Sequence, residues 1–351
     1  MNMQKAEELA YKVINDYGGA FLMALGYIGD QLGLFKALES SGATTSTELA
    51  ATTGLNERYV REWLKAMVAA EYLDFDSTTG RYVMTPAQAA VLSNQDSPLF
   101  AGGAFKLTMP TLYNVPRITD SFRNGGGIPY SEIGPDVPCA IEQVFRPGYL
   151  HFLVAEWLTK VPGLTERLQQ GAKVIDVGCG RGQSTVAMAR AFPNSRFLGI
   201  DYHADSIDAA RALALRHDLG NVQFLAAPAE QALAQGHCDL ICAFDCIHDM
   251  VHPVATLEAI RAALAPGGVF VWGEPNATHE PLQNRNPIGR LFHAISPLHC
   301  LTVSLAHGGA GLGAVIGEAG ARQLAQQAGF ATFEKLPTNH PFNQFFACRP
   351  N

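Results

Sequence analysis

The feature that most constrains the fold is a regular alternation of short apolar segments and amphipathic segments from residue 172 onward. Short apolar segments separated by helical ones are typical of a parallel sheet covered by helices on both faces. Five segments have the length and composition of buried strands: "AKVIDVG", "SRFLGID", "NVQFLAA", "CDLICAFD" and "VFVWGEP". After an insertion and one more helix, "FATFEKLP" and "PFNQFFACRP" predict an antiparallel hairpin. We therefore expect an α/β, doubly wound (Rossmann-like) sheet of seven strands with an antiparallel last strand.

A different pattern precedes this sheet. Residues 3–40 have apolar residues at helical spacing, and Gly18 and Gly19 are expected to break them into two helices. Residues 44–86 predict two short helices and a hairpin, the arrangement of a winged helix. The buried face of the second helix is expected to hold Tyr59, Val60, Trp63, Leu64, Met67 and Val68. The predicted domains are a helical arm with a winged helix (1–98), a Gly- and Pro-rich connector or lid (99–170), and the sheet domain (171–351, with an insertion at 276–312).

The charge of the N-terminal region argues against a nucleic-acid reader. The chain has a net charge of −7, and residues 1–105 hold seven Lys and Arg against twelve Asp and Glu, a net of −5. A reader of DNA needs a basic face toward the phosphates. The winged helix is therefore predicted to be a dimerisation module of a homodimer, with the helices of residues 3–40 supplying an apolar interface. A DNA-binding regulator is the alternative.

The residue types also bear on the cellular compartment of the protein and on whether it binds a metal. The seven cysteines have no regular framework, the first residues do not resemble a signal peptide, and no apolar stretch is long enough for a membrane span. We expect a cytoplasmic protein without membrane contact. Two sets of metal-ligand residue types are weighed, and no metal site is predicted, because the first set lies in a buried strand and the second is irregularly spaced. The sets are Cys238, Cys242 and Cys246, and His293, His299, Cys300 and His307.

The segment that ends the first strand, "VIDVGCGRGQST", predicts a nucleotide site. Its three glycines stand at alternate positions, Gly178, Gly180 and Gly182, and Asp176 precedes them. A dinucleotide fold has a different glycine spacing, G-x-G-x-x-G, and a carboxylate here would repel a pyrophosphate. S-adenosylmethionine carries an ammonium and a sulfonium and no phosphate, so it suits this carboxylate. Asp201 ends the next strand, where a carboxylate can accept both ribose hydroxyls.

Residues 172–275 resemble the class I S-adenosylmethionine-dependent methyltransferases, and the final hairpin is similar to the end of that family's sheet. The resemblance implies that Asp176 and the three glycines surround the methionine part of the cofactor and that Asp201 binds its ribose. Tyr202 would pack on the adenine. The family often has Asp after the third strand, where this chain has "AAPAEQAL", so Ala229 and Glu230 are the expected substitutes.

Two aromatic residues are also assigned to the cofactor side. Tyr149 is predicted to be part of a lid over the cofactor, with interdomain packing as its alternative. Phe244, at the end of the fourth strand, is predicted to line the cofactor site.

The segment after the fourth strand, "FDCIHDMVHP", predicts the acceptor side. It resembles the H-D-W segment of small-molecule O-methyltransferases that carry an N-terminal winged-helix dimerisation domain, with Met250 in place of the tryptophan. The resemblance implies that His248 is the general base and that Glu274 orients it; the alternative for each is a packing role. The expected function is methyl transfer to a small-molecule hydroxyl. An S-, N- or C-methyltransferase without a general base is the alternative, and the sequence does not identify the acceptor.

Overall fold

The computed structural model describes residues 2–234 and 236–350. The chain divides into two compact units: residues up to 110 together with 143–147, and residues 111–142 together with 148 onward. The predicted connector, residues 99–170, is shared between the two units. Within the described residues, no helix combines the length and the apolar character that a membrane crossing requires.

The first unit is mostly helical and contains the winged helix. A capping box between Thr45 and Glu48 starts α3, and Gly54, in the left-handed conformation, ends it. The hairpin of β1 and β2 is antiparallel. The elements are α1 (Met3–Gln31), α2 (Leu34–Ser41), α3 (Ser46–Thr53), α4 (Glu57–Ala69), β1 (Asp74–Asp76), β2 (Arg81–Val83), α5 (Pro86–Leu92) and α6 (Gly103–Tyr113), which extends three residues beyond the unit.

Two details of this unit correct the sequence-based expectations. Gly18 and Gly19 do not break a helix, because α1 continues through them. A glycine inside a long helix costs only about 1 kcal/mol, so it does not by itself end one. The break falls instead at Gly33, whose φ of 69° is left-handed. Tyr59 is not buried but 80% exposed, because it lies just outside the buried stripe of α4, which is formed by Val60, Trp63, Leu64 and Met67 as predicted.

The second unit contains the sheet. Its helices are α7 (Val115–Asn124), α8 (Val137–Gly148, which includes residues of the first unit), a π-helix (Tyr149–Trp157), α9 (Leu164–Gln170), α10 (Gln183–Ala191), α11 (Ala204–Arg216), α12 (Ala229–Leu233), α13 (Pro253–Ala263), α14 (Pro287–Ile295), α15 (Cys300–Leu305) and α16 (Gly317–Gln327). Its strands are β3 (Lys173–Val177), β4 (Arg196–Asp201), β5 (Val222–Ala226), β6 (Cys238–Phe244), β7 (Leu264–Pro275), β8 (Thr332–Lys335) and β9 (Asn343–Arg349). Short 3₁₀ segments cover Tyr130–Glu132, Leu158–Lys160, Ile247–Asp249, Pro281–Asn284 and Ser296–Leu298.

The seven strands lie in the order β5-β4-β3-β6-β7-β9-β8. The strands β3 to β7 pair in parallel, whereas β9 is antiparallel to both β7 and β8. The predicted fold class is thus confirmed. Since β3 lies between β4 and β6, the chain reverses its direction of winding at β3. The carboxyl ends of β3 and β6 therefore flank the crevice where open α/β sheets bind ligands.

Burial on both faces explains why the strand segments are almost continuously apolar. Leu240 and Cys242 of β6 pack on one side of the sheet, and Ile241 and Ala243 on the other. Cys238 and Cys242 are buried in these cores. Cys246 lies beyond the strand, where its thiol donates to the carbonyl of Val177 at 3.3 Å.

Candidate active site

The glycine turn after β3 needs glycine at all three positions, for different reasons. Gly178, Gly180 and Gly182 have φ values of 66°, 51° and 83°, in the region that favours glycine. A Cβ on Gly178 would lie 2.6 Å from the Cys246 sulfur, and one on Gly182 would lie 2.7 Å from the Ala210 Cβ. A Cβ on Gly180 would meet no atom within 4 Å. The outer glycines thus permit close packing, whereas Gly180 borders open space that a ligand can enter.

Asp176 is turned toward the helix that follows the glycines. Its carboxyl is 1% exposed, and one oxygen, Oδ2, accepts from the hydroxyls of Ser184 at 2.5 Å and Thr185 at 2.6 Å, both in the first turns of α10. Burial raises the pKa of Asp176 to about 6, against the effect of these two hydrogen bonds. This charge therefore lies behind the glycine turn, which it ties to the helix.

Asp201 lies at the end of β4, beside the same turn. Its Oδ2 accepts from the Gly180 N–H and its Oδ1 from the His203 N–H, each at 2.9 Å. Burial raises the pKa of Asp201, while these hydrogen bonds oppose the rise. A carboxylate oxygen has two lone pairs, so each oxygen keeps acceptor capacity for one more donor. Tyr202, the next residue, is 57% exposed, and its ring centroid lies 6.1 Å from that of Tyr130.

Ala229 and Glu230 form the first turn of α12. N–H groups in the first turn of a helix have no partner within the helix, which leaves the Ala229 N–H as a candidate donor. The carboxylate of Glu230 accepts a short hydrogen bond from the Thr256 hydroxyl of α13. One of its oxygens is thus already engaged in tying the two helices together.

Tyr149 and Phe244 pack against each other within the sheet unit. Their ring centroids are 5.8 Å apart, and Trp157 lies 6.1 Å from Tyr149 and 6.2 Å from Phe244. Burial raises the pKa of Tyr149 well above its ordinary value. The structure thus brings these two predicted cofactor-side residues together at the end of β6.

His248 follows β6 in the 3₁₀ turn Ile247–Asp249 and is 2% exposed. Its Nδ1 lies 2.6 Å from Oε2 of Glu274, a fully buried carboxylate near the end of β7. The indole Nε1 of Trp272 donates to the other oxygen of Glu274 at 2.6 Å. Because a carboxylate accepts and does not donate, Nδ1 carries a proton and the lone pair of the neutral ring lies on Nε2. The predicted pair of His248 and Glu274 is thus brought into direct contact.

Burial and the neighbouring carboxylates have opposite effects on the pKa of the His248 imidazole. Burial lowers the pKa of His248, but the negative charges of Glu274 and Asp249 raise it more, so the pKa lies well above its ordinary value. The ring is therefore a stronger base than a free histidine.

Four further residues of this region, Tyr130, His299, Cys300 and Asp245, were not predicted as site residues. Tyr130 packs against His203 and His299, with ring centroids 5.2 and 6.0 Å apart. Cys300 lies with His248 and Asp249 in one cluster of potential ligand atoms. The contact of Tyr130 with His299 has no local sequence signal, since the two residues are 169 positions apart in the chain.

Asp245 is the fourth such residue, and it did have a signal: it is the first polar residue after β6. It has a left-handed φ of 53° and accepts from Asn343 Nδ2 of β9 at 2.6 and 2.7 Å. Burial, followed by the charge of Glu274, raises its pKa to about 8.

Comparisons with known proteins agree with the fold and with its division into domains. Residues 168–304 match the family model described as a methyltransferase domain, and residues 20–94 match the Rv2258c-like winged HTH domain. A ubiquinone biosynthesis O-methyltransferase of Bordetella avium is 29% identical over 163 residues, 46% of this chain and 61% of that protein. A trans-aconitate 2-methyltransferase of Variovorax paradoxus is 33% identical over 128 residues, 36% of this chain and 45% of that protein. The chain thus spans only about half the length of these curated relatives.

Two solved structures match over nearly the whole chain. Human N-acetylserotonin methyltransferase, in complex with S-adenosylmethionine, has a TM-score of 0.74 at 18% identity and covers 97% of this chain and 98% of its own. An O-methyltransferase family protein of Burkholderia thailandensis has a TM-score of 0.70 at 16% identity, covering 99% and 98%. These likenesses concern the fold. Together with the two family models, they show that the chain has the class I methyltransferase fold, with a methyltransferase domain at residues 168–304 and an N-terminal winged-helix domain at residues 20–94.

Proposed function

We propose that this protein transfers the methyl group of S-adenosylmethionine to a hydroxyl of a small molecule, with His248 as the general base. The observation that carries the proposal is the buried contact between His248 and Glu274 at the same edge of the sheet as the glycine turn. The names of the relatives support it, since they include methyltransferases of small molecules.

The residues at the end of β3 and β4 fit this cofactor. Gly180 borders open space, Asp201 keeps acceptor capacity for ribose hydroxyls, and the exposed ring of Tyr202 offers a face for the adenine. Asp176, behind the turn, adds negative charge near the expected ammonium without occupying the space of the ligand. When bound, S-adenosylmethionine supplies a methyl group that its sulfonium makes electrophilic.

On the acceptor side, the role of these residues is to remove the proton of the acceptor hydroxyl. Nε2 of His248 faces away from Glu274 and takes the hydroxyl proton, and Glu274 stabilises the imidazolium that forms. Trp272 fixes Glu274 from behind, which keeps the ring in one orientation. The raised pKa means that the ring must first lose its own proton to solvent; once neutral, it favours the pair of imidazolium and acceptor oxyanion over the pair of imidazole and hydroxyl. The acceptor oxygen thus carries more negative charge when it attacks the methyl group.

The test begins with a screen of metabolites using isotopically methyl-labelled cofactor, which identifies an acceptor. We then expect His248→Ala to leave cofactor affinity nearly unchanged and to lower turnover by about 10²–10⁴, the usual contribution of a positioned base. The loss should shrink for an acceptor that is already ionised, because no proton remains to be removed. The exposed His307 provides a matched control, His307→Ala. Equal turnover of wild type and His248→Ala, on the acceptor below its own pKa, would remove the base and favour an S-, N- or C-methyltransferase that relies on alignment alone.

We also propose that the protein is a homodimer through its N-terminal arm. The exposed apolar side chains of α1 include Leu9, Val13 and Tyr17, spaced by four, and they are 58–67% exposed. A stripe of this kind needs a covering partner, and a second copy offers the same stripe. On α4, by contrast, ion pairs of Arg58 with Glu62 and of Arg61 with Glu57 neutralise the basic residues that DNA binding would need. The cytoplasmic location stays a prediction.

A further inference from the structure

Three potential metal ligands lie together on the side of the His248 ring that faces away from Glu274. Ligand atoms of His248, Asp249 and Cys300 all lie within 4.8 Å of one another. His248 Nε2 is 3.2 Å from Asp249 Oδ1. That oxygen is buried and receives no hydrogen bond of good geometry from the residues that the structure describes. Its charge is compensated by the His248 ring only while that ring is protonated, and a cation bound among the three residues would compensate it when the ring is neutral.

The donor set is suited to zinc. Imidazole nitrogen, thiolate sulfur and carboxylate oxygen are its usual ligands, and three protein ligands with one open position are typical of zinc sites that admit another molecule. Magnesium prefers oxygen ligands in octahedral geometry, so it fits this set poorly.

The surroundings of His248 also match those of a metal-bound histidine. A histidine that ligates a metal almost always donates its other N–H to a carboxylate or carbonyl, which fixes the ring. Here Glu274 already accepts from Nδ1 and is held in turn by Trp272. The ring therefore presents Nε2 to Asp249 and Cys300 without rearrangement. The carboxylates of Asp249 and Glu274 also make the surroundings negative, which favours a cation.

We propose that His248 Nε2, Asp249 Oδ1 and Cys300 Sγ form a binding site for Zn²⁺, and that bound zinc inhibits methyl transfer. On binding, the thiol of Cys300 and any imidazolium at His248 each release a proton to solvent, because zinc takes the thiolate and the neutral imidazole. The zinc then occupies the Nε2 lone pair that would accept the hydroxyl proton. Inhibition rests on the proposed function, whereas binding does not.

The binding part is tested on the full chain without any acceptor. Zn²⁺ is titrated in competition with a chromophoric chelator, and Co²⁺ is added separately to detect the absorption band of a cobalt–thiolate bond. We expect one zinc site, a cobalt–thiolate band, and at least about a tenfold weaker zinc affinity in Cys300→Ser, since even loss of an outer partner usually costs about 10–100-fold. Cys139→Ser is the matched control, because Cys139 is a free thiol outside the cluster. Equal zinc affinity of wild type and Cys300→Ser, or no thiolate band, overturns the site.

The inhibition part compares turnover with and without Zn²⁺, each variant relative to its own zinc-free rate. We expect wild type and Cys139→Ser to lose turnover over the zinc range that fills the site, and Cys300→Ser to need at least about tenfold more zinc. Full turnover or activation with the site filled overturns inhibition. In that case the turnover of His248→Ala without zinc distinguishes two explanations. If His248→Ala keeps full turnover, His248 is not the general base, and the zinc site itself is unaffected. If His248→Ala loses turnover, His248 is the base and the proposed mechanism of zinc inhibition is wrong.

Discussion

Replacing Asp176 by Asn should change the stability of the fold in a way that depends on pH. Burial holds the pKa of Asp176 at about 6, whereas the same carboxyl in an unfolded chain titrates near its ordinary value of about 4. The folded state therefore binds this proton more tightly than the unfolded state. The resulting stability is fully present below about pH 4 and is lost as the pH rises through about 6. Each pKa unit corresponds to about 1.4 kcal/mol, so the loss amounts to about 3 kcal/mol.

Asn removes this dependence and keeps most of the contacts. Its Oδ1 can still accept from the hydroxyls of Ser184 and Thr185. Its NH₂ group needs a new acceptor, at a cost that does not change with pH. The free energy of unfolding of Asp176→Asn, minus that of wild type, should thus rise by about 2.4 kcal/mol between pH 4 and pH 7.

The assay is urea unfolding of the cofactor-free protein at several pH values, followed by circular dichroism. Asp205→Asn, which removes an exposed carboxylate, is the control and should stay parallel to wild type. Parallel curves for wild type and Asp176→Asn would refute the reasoning, because the buried carboxyl would then not have a raised pKa. We also expect Asp176→Asn to bind S-adenosylmethionine more weakly, so that the gain in stability comes with a loss of function.

Two further predictions concern the cofactor and the dimer. Asp201→Ala should weaken binding of S-adenosylmethionine by about 1–3 kcal/mol in calorimetry, because ribose hydroxyls would lose their acceptor. NAD should bind neither wild type nor Asp201→Ala. Binding of NAD without binding of S-adenosylhomocysteine would contradict the assignment of S-adenosylmethionine as the cofactor. Light scattering should give a dimer for wild type. The double variant Val13→Glu with Tyr17→Glu should be a monomer, because the changes place charges on the exposed stripe of α1. A wild type that is monomeric at all practical concentrations would refute the interface.

The sheet was predictable from the sequence because its strands are buried on both faces. Such strands are continuously apolar, so segments such as β6 stand out from the amphipathic helices between them. The N-terminal arm was harder, since the position of its break depends on backbone conformation. Gly18 and Gly19 differ from Gly33 in φ and not in residue type. An exposed residue such as Tyr59 lies next to the buried stripe of its helix, and a shift of one position changes its predicted environment.

The candidate site also contains residues that a local sequence pattern locates and residues that it does not. The glycine turn and His248 follow strand ends directly, so local pattern located them. The contact of His248 with Glu274 was implied by a family resemblance, and the geometry supports the assignment without testing it. Tyr130 was not placed beside the site because its neighbours are far away in the chain. Contacts of this kind depend on how the connecting segments pack, for which a single sequence gives no signal.

The hydrogen bonds from Asn343 to Asp245 have a consequence for biosynthesis. Asp245 starts the loop that carries His248, and its left-handed backbone is held by a residue of β9, nearly a hundred positions later. A ribosome releases the chain from its N-terminus, so the glycine turn, β4 and the winged helix emerge well before β9. A nascent chain that has reached β7 therefore has the predicted nucleotide crevice, whereas the loop of the general base still lacks its anchor. Competence for chemistry would then be the last property that the growing polypeptide acquires.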